Sequence, residues 1–72
     1  MSVVNEQMKK QGNDIFKDVI LKKNRLNIST YRICLDLDLE EELVADYFLG
    51  NCKDNLFLGI EILNYLERYE NN

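Results

Sequence analysis

Carboxylates alternate with leucines in the segment CLDLDLE, residues 34–40, and this spacing offers oxygen ligands at every second position. A calcium-binding loop uses such ligands, but it also needs a glycine at its sixth position and a glutamate at its twelfth. Counting from Asp36, those positions hold Glu41 and Tyr47. The segment therefore does not predict a calcium site.

Nucleophilic catalysis and transition-metal binding have equally little support in the residue types of this chain. It contains no histidine, which removes the commonest general base and the usual partner of a nucleophile. Its two cysteines, Cys34 and Cys52, do not form a C-x-x-C pair, and we expect them to be reduced thiols that pack as small apolar side chains. We expect that the chain is not an enzyme and that it has no cofactor and no metal site.

The length and composition predict one small ordered domain, residues 1–72, made of helices. The chain has no proline, three glycines and 46% hydrophobic residues, which is unlike a linker or a disordered tail. It has no run of about 18 apolar residues that would span a membrane, and its start, MSVVNEQMKKQGND, lacks the apolar centre of a secretion signal. We expect a cytoplasmic location.

Charge is distributed unevenly along the chain, whose net charge is −4. Residues 1–32 carry seven basic and three acidic side chains, which gives +4, and residues 33–72 carry two basic and ten acidic ones, which gives −8. Such an imbalance suggests a charged partner surface. The partner of the acidic half should be basic.

Hydrophobic spacing predicts the first helices. Ile15, Phe16, Val19 and Ile20 recur at helical spacing after Asn13, a possible N-cap, so a helix is expected from 13 to about 27. Gly12 is expected to separate it from a short helix at about 3–11. Ser29 can cap a second helix at about 30–37. The segment DNLFLGIEILNYLERYE predicts a long last helix from Asn55 to about Tyr69, capped by Asp54.

The segment CLDLDLE, residues 34–40, then fits the end of one helix, a turn and the start of another helix. A strand there would lack a hairpin partner for its backbone hydrogen bonds. Asp38 can N-cap a helix whose third residue is Glu41, which is the capping-box spacing. That helix would cover about 39–49 and end at Gly50, a natural C′ residue. The predicted fold is all-α, a small helical bundle with a helix-turn-helix core.

From Ser29 to Leu66 this pattern resembles the helix-turn-helix domain of Cro/C1-type phage repressors. Ile33 and Cys34 stand where that family has a leucine–alanine pair, and Val44 and Tyr47 stand at the buried positions of its recognition helix. The other matching positions are the leucines flanking the turn, the glycine closing the recognition helix and the apolar residues of the next helix, namely Leu37, Leu39, Gly50, Leu56, Ile62, Leu63 and Leu66. The segment from Ile15 to Asn27 resembles the first helix of the same domain.

The departures from this family concern the turn and the groove-reading face. Asp38 stands where the family usually has glycine. The positions that would meet DNA hold Glu40, Glu41, Glu42, Leu43 and Asp46, although a groove-reading helix normally presents arginine, lysine, glutamine or asparagine. Phosphate binding depends on cations, and repulsion at contact distance is not screened at a Debye length of about 8 Å. We expect little or no binding of DNA by this helix.

An acidic helix with an apolar residue inside it suits a basic, partly apolar protein surface, such as the DNA-binding face of a repressor. Length, fold pattern and inverted charge together resemble the modulator-of-repression family, antirepressors of lactococcal temperate phages. The resemblance implies a protein of the host bacterial cytosol that binds the N-terminal domain of a CI-type repressor in the lysogenic/lytic switch. The expected partner-binding residues are Thr30, Tyr31, Leu35, Glu40, Glu41, Glu42, Leu43 and Asp46.

Three alternatives remain at this stage. The acidic residues could be only a solvated helix start that interacts well with the helix dipole. The chain could instead be a DNA-binding regulator of the Cro/C1 type that tracks phosphates with its basic N-terminal part, through Lys9, Lys10, Lys17, Lys22, Lys23 and Arg25. Finally, the free chain could be a monomer, or it could dimerise through Phe57, Leu58, Tyr65 and Tyr69 of the last helix unless these pack on the N-terminal segment.

Overall fold

The computed structural model describes the backbone of residues 3–71 and the side chains of residues 10–71. Four helices follow one another in this part of the chain: α1 (Val3–Leu26), α2 (Thr30–Leu37), α3 (Glu41–Phe48) and α4 (Leu56–Glu70). No strand occurs within residues 3–71, so the all-α prediction and the choice of helix over strand for the CLDLDLE segment are both confirmed. None of the helices described is long and apolar enough to cross a membrane.

The prediction of two helices separated at Gly12 is wrong, because α1 runs through Gly12 and Asn13 without a break. Gly12 is buried, and a Cβ added to it would lie 2.8 Å from the carbonyl oxygen of Lys53 and 2.9 Å from the Cα of Asp54. A helix-interior glycine costs about 1 kcal/mol relative to alanine. Here the missing side chain lets α1 pack directly on the backbone that precedes α4.

Three contacts show that α1 and α4 run side by side in the same direction. Gly12 lies on the Lys53–Asp54 backbone, Ile15 lies against Gly59, and near the C-terminal ends Lys22 and Arg25 both reach the carboxylate of Glu70. The Lys22 Nζ to Glu70 Oε1 distance is 3.4 Å. The two longest helices thus form the frame against which the α2–α3 pair packs.

Helix α2 begins as predicted. Ser29 has extended backbone angles, and its hydroxyl accepts a hydrogen bond from the Arg32 amide at 3.0 Å. This satisfies one of the free amides of the first turn. Ile33 and Cys34 on the inner side of α2 are buried.

Asp38 does not N-cap α3, and the predicted capping box is wrong. Asp38 is the C-cap of α2, with left-handed backbone angles (φ 54°, ψ 47°), and its amide donates to the carbonyl of Cys34. An N-cap needs extended angles, so a left-handed Asp38 cannot take that role. The N-cap residue of α3 is Glu40, whose side chain makes no capping hydrogen bond.

The predicted end of α3 at Gly50 is confirmed. Gly50 has φ +88°, and its amide donates to Tyr47 O at 3.0 Å while the amide of Asn51 donates to Asp46 O at 3.0 Å. These two bonds form a Schellman motif, which ends the helix and satisfies its last carbonyls. The cap of α4 is Asn55 and not Asp54, since Asn55 Oδ1 accepts from the Leu58 amide at 3.2 Å.

The core surrounds Tyr47 of α3, whose ring is fully buried and packs edge-on against Phe16 of α1 and Phe48. Its hydroxyl is buried without a hydrogen-bond partner among the described residues and lies where a Cβ on Gly59 would be 2.6 Å away. Burial raises the pKa of Tyr47 to about 12. The other buried residues come from all four helices and the α1–α2 turn: Val19, Ile28, Ile33, Cys34, Val44, Leu58, Ile62, Tyr65 and Leu66.

The four residues of the last helix that were considered for dimerisation differ in burial. Leu58 and Tyr65 belong to the core, whereas the Phe57 side chain is 89% exposed and that of Tyr69 is 42% exposed. Both cysteines are free, as predicted, with Cys34 buried and Cys52 half-buried. Burial raises the pKa of each thiol, which disfavours the reactive thiolate.

Candidate functional site

The exposed side of α3 carries the acidic residues singled out in the sequence. Val44 and Tyr47 point into the core and fix the orientation of this short helix. The exposed residues of α3 and its N-cap, which we call the acidic face, are Glu40, Glu41, Glu42, Leu43 and Asp46. The Leu43 side chain retains 39% exposure among these carboxylates. The described salt bridges involve none of the four carboxylates.

Position within α3 distinguishes these carboxylates. Glu41 and Glu42 lie in the first turn, where free backbone amides favour negative charge by about 0.3–1 kcal/mol each. Asp46 lies more than one turn further on, beyond the reach of that effect. A helix start alone therefore accounts for Glu41, Glu42 and the N-cap residue Glu40, but not for Asp46 or for the exposed Leu43.

Tyr31 and Leu35 lie one turn apart on the outer side of α2, and each is 59% exposed. Together with Tyr69 from the last turn of α4 they line an open depression of about 410 Å³, bordered by Arg32. Thr30, the first residue of α2, is half-buried. Because α2 packs against α3, the predicted site residues lie on two adjacent helices.

Tyr69 was not predicted to lie beside Tyr31 and Leu35. In the sequence it was a candidate for dimerisation through the last helix, and no local signal indicates that this helix ends beside the start of α2. Exposed tyrosine next to arginine was the one available hint, because both residue types are enriched at protein interfaces.

A polar network joins α2 to α4 beside this depression. The Tyr65 hydroxyl and the Arg32 guanidinium both donate to Asp36 Oδ2, the latter at 3.0 Å. The hydrogen bond from Tyr65, and then that from Arg32, hold the pKa of Asp36 below its usual range. Burial and the Asp36 carboxylate raise the pKa of Tyr65 to about 12. The network fixes one wall of the depression.

Several basic side chains of α1 are engaged in contacts within the molecule. Lys22 and Arg25 both pair with Glu70, and Lys23 lies over the ring of Phe48, 5.2 Å from its centroid. Lys10 and Lys17 are exposed, and the side chain of Lys9 lies outside the described residues. The basic N-terminal part does not form one open cationic surface at the end of α1.

Metal chemistry has no recognisable centre in the part of the chain whose side chains are described. That part contains no group of three or more Cys, Asp or Glu side chains arranged to hold a metal ion. The carboxylates of the acidic face project from one short helix toward solvent. Their arrangement suits ion pairing with another macromolecule.

Comparisons with protein-family models, with curated proteins and with solved structures give no match for this chain.

Proposed function

We propose that this chain is a phage antirepressor, which binds the helix-turn-helix DNA-binding domain of a CI-type repressor through its acidic face. The observation that carries the proposal is the exposed surface of α3, where four carboxylates and Leu43 are all exposed within seven residues. Occupying the repressor's DNA-binding surface would keep the repressor from its operator and shift the balance between lysogenic and lytic growth.

The geometry of the α2–α3 pair supports a helix-turn-helix ancestry for this site. Asp38 adopts the left-handed conformation at the turn position where Cro/C1-type domains have glycine. Val44 and Tyr47 are buried, and Gly50 closes the helix, as in a recognition helix of that family. On this assignment the acidic face stands where a repressor presents the side chains that contact DNA.

Electrostatics then favours a protein over DNA as the ligand. Phosphates would be repelled by Glu40, Glu41, Glu42 and Asp46, whereas the arginines and lysines of a DNA-binding face would be attracted. Leu43 supplies an apolar contact whose surface loses water on binding, which adds a favourable hydrophobic contribution to the charge attraction. In the proposed complex the acidic face packs against the oppositely charged DNA-binding face of the repressor.

The alternative of a DNA-binding regulator that uses the basic N-terminal part is less well supported. Lys22 and Arg25 share Glu70, and Lys23 covers Phe48, so phosphate binding would have to break these contacts. That alternative requires the chain alone to retard duplex DNA and requires Lys22→Gln and Lys23→Gln to abolish the retardation.

A gel-shift competition tests the antirepressor proposal. The probe is the purified helix-turn-helix repressor encoded beside the gene for this chain, with its operator duplex. Added chain should abolish the operator shift and should give no shift by itself at physiological salt. Glu41→Lys with Glu42→Lys should weaken this inhibition at least about a hundredfold, because attraction becomes repulsion.

The matched control changes the same charge elsewhere. Glu61 and Glu67 are exposed on α4, outside the acidic face, and their double change to lysine should leave inhibition within about threefold. Circular dichroism must show equal helix content for all variants. Equal inhibition by both double variants would show that net charge, and not the acidic face, is responsible, and the proposal would fail.

A further inference from the structure

A groove between the start of α2 and the end of α4 is lined by aromatic and arginine side chains, whereas the acidic face carries carboxylates. One part of about 410 Å³ is lined by the apolar residues Tyr31, Leu35, Tyr69 and Ile28 and by the polar residues Asn27 and Ser29. An adjoining open part of about 850 Å³ is lined by Asp36, Tyr65, Arg68 and Asn71. Arg32 and Tyr69 border both parts, so they form one continuous surface, which we call the α2–α4 groove.

The walls of this groove are held in place before any partner arrives. Tyr69 packs on Tyr65 with ring centroids 6.1 Å apart, and the Tyr65 hydroxyl donates to Asp36. Asp36 in turn binds the Arg32 side chain. Side chains that are already ordered lose less entropy on binding, which raises affinity.

The charge of the groove indicates the chemistry of its ligand. Arg32 and Arg68 are cationic, and the one carboxylate of the lining, Asp36, already accepts hydrogen bonds from Arg32 and Tyr65. No described salt bridge involves Arg68. An apolar side chain next to a carboxylate would therefore match the groove, with the carboxylate directed at Arg68.

Interface size indicates that the groove and the acidic face serve one partner. Stable complexes bury about 800 Å² on each side, contributed by roughly 20–30 residues. Helix α3 has eight residues, so its exposed side alone is too small. Because α2 packs against both α3 and α4, its exposed residues Tyr31 and Leu35, with Tyr69, offer further contact area on the neighbouring helices.

We propose that the α2–α4 groove is a second docking site, which receives an apolar side chain flanked by a carboxylate from the same repressor that binds the acidic face. This inference rests on the proposed function for the identity of the partner. The kind of side chain that the groove receives is inferred from the residues of the groove alone. The chain then binds its partner through two surfaces of opposite charge, which fixes the orientation of the complex.

Peptide binding tests the groove without the repressor. The probes are two fluorescent ten-residue peptides with a central leucine–tryptophan pair, flanked by glutamates in one and by lysines in the other. Amide NMR spectra of the full chain should show shifts at Tyr31, Leu35 and Tyr69 with the glutamate peptide. Titration of these three groove signals should show at least about tenfold tighter binding of the glutamate peptide than of the lysine peptide, and Arg68→Glu should reverse the order.

Variants of exposed aromatic residues on the same helix supply the control. Tyr69→Ala should weaken binding of the glutamate peptide at least about tenfold, whereas Phe57→Ser, at an exposed position outside the groove, should leave it unchanged. Leu35→Ala repeats the test on α2 in case Tyr69→Ala alters the end of α4. Equal affinity of the two peptides at the groove signals, or shifts of the glutamate peptide confined to Phe57 or to the acidic face, would overturn the proposal.

The repressor assay then separates the two proposals. If the chain does not inhibit the repressor but binds the glutamate peptide in the groove, the proposed function fails and the chemistry of the groove stands. If inhibition occurs and Tyr69→Ala and Arg68→Glu both leave it unchanged, the proposed function stands and the second docking site is wrong.

Discussion

The Tyr65 hydroxyl of α4 donates a hydrogen bond to the carboxylate of Asp36 on α2. This bond joins the two helices that line the α2–α4 groove, and it is the largest cause of the lowered pKa of Asp36. Since Tyr65 itself is buried, the bond connects the core to the surface at the point where Arg32 is also held. Its loss should therefore be detected in both stability and its pH dependence.

Tyr65→Phe should lower the melting temperature at neutral pH by a few degrees. The folded-state pKa of Asp36 lies below its unfolded value, so the stability it contributes is complete above about pH 4 and is lost as the pH falls through the folded pKa. The difference between parent and variant should shrink as Asp36 becomes protonated in both. Thermal melts from pH 7 to pH 2 measure this, and a difference that stays constant would contradict it.

Tyr47 and Gly59 should behave as a coupled pair. Gly59→Ala alone should cost about 1–3 kcal/mol, because the new Cβ would lie 2.6 Å from the Tyr47 hydroxyl oxygen and 3.0 Å from Ile15 Cγ2. Tyr47→Phe alone should be neutral or stabilising by about 1 kcal/mol, since it removes a buried hydroxyl that has no described partner.

In the Tyr47→Phe background the Gly59→Ala substitution should lose much of its cost. The nearest remaining atom of residue 47 is then Cζ, which would be 3.5 Å from the new Cβ. Urea denaturation of the four proteins gives the coupling energy, expected at about 1–2 kcal/mol. A coupling near zero would show that Ile15, and not the hydroxyl, limits the space at Gly59.

Asp38→Gly should stabilise the chain by up to about 1 kcal/mol. Asp38 has φ 54°, a conformation that glycine adopts without the steric cost that a Cβ incurs. The greater freedom of glycine in the unfolded chain offsets part of the gain. Asp38→Val should destabilise strongly, because a β-branched side chain tolerates this conformation poorly. Thermal melts of the two variants provide the comparison, and a more stable valine variant would exclude the left-handed turn.

Association with the repressor should depend strongly on salt. Raising the ionic strength from about 0.1 M to about 1 M shortens the Debye length from about 10 Å to about 3 Å, so the attraction of the acidic face for a basic surface is screened. The association rate constant should fall at least about tenfold, with a smaller change in the dissociation rate constant. Stopped-flow fluorescence measures both constants, and a salt-independent association rate would argue against charge-driven docking.

Local features of the structure were accessible from the sequence. Ser29 and Gly50 were placed correctly, because an N-cap hydroxyl and a C′ glycine act on backbone groups within a few residues. The burial of Val44 and Tyr47 was expected from the family resemblance.

The errors arose where tertiary contacts or competing caps decide the outcome. Gly12 looked like a helix boundary, but its role is to admit the Lys53–Asp54 backbone, which no local pattern indicates. Asp38 was predicted to N-cap α3 but takes the left-handed C-cap position of α2, and Asn55, not the adjacent Asp54, caps α4. Tyr69 joined the site only because α4 ends beside the start of α2.

The side-by-side course of α1 and α4 changes the meaning of the charge imbalance along the chain. The basic C-terminal end of the first helix reaches the acidic C-terminal end of the last, so Lys22 and Arg25 neutralise Glu70 instead of forming a separate positive pole. Folding cancels charge there and leaves it uncancelled on α3. An approaching macromolecule would therefore meet a negative potential that is concentrated at α3, although the sequence suggests a molecule with one basic and one acidic half.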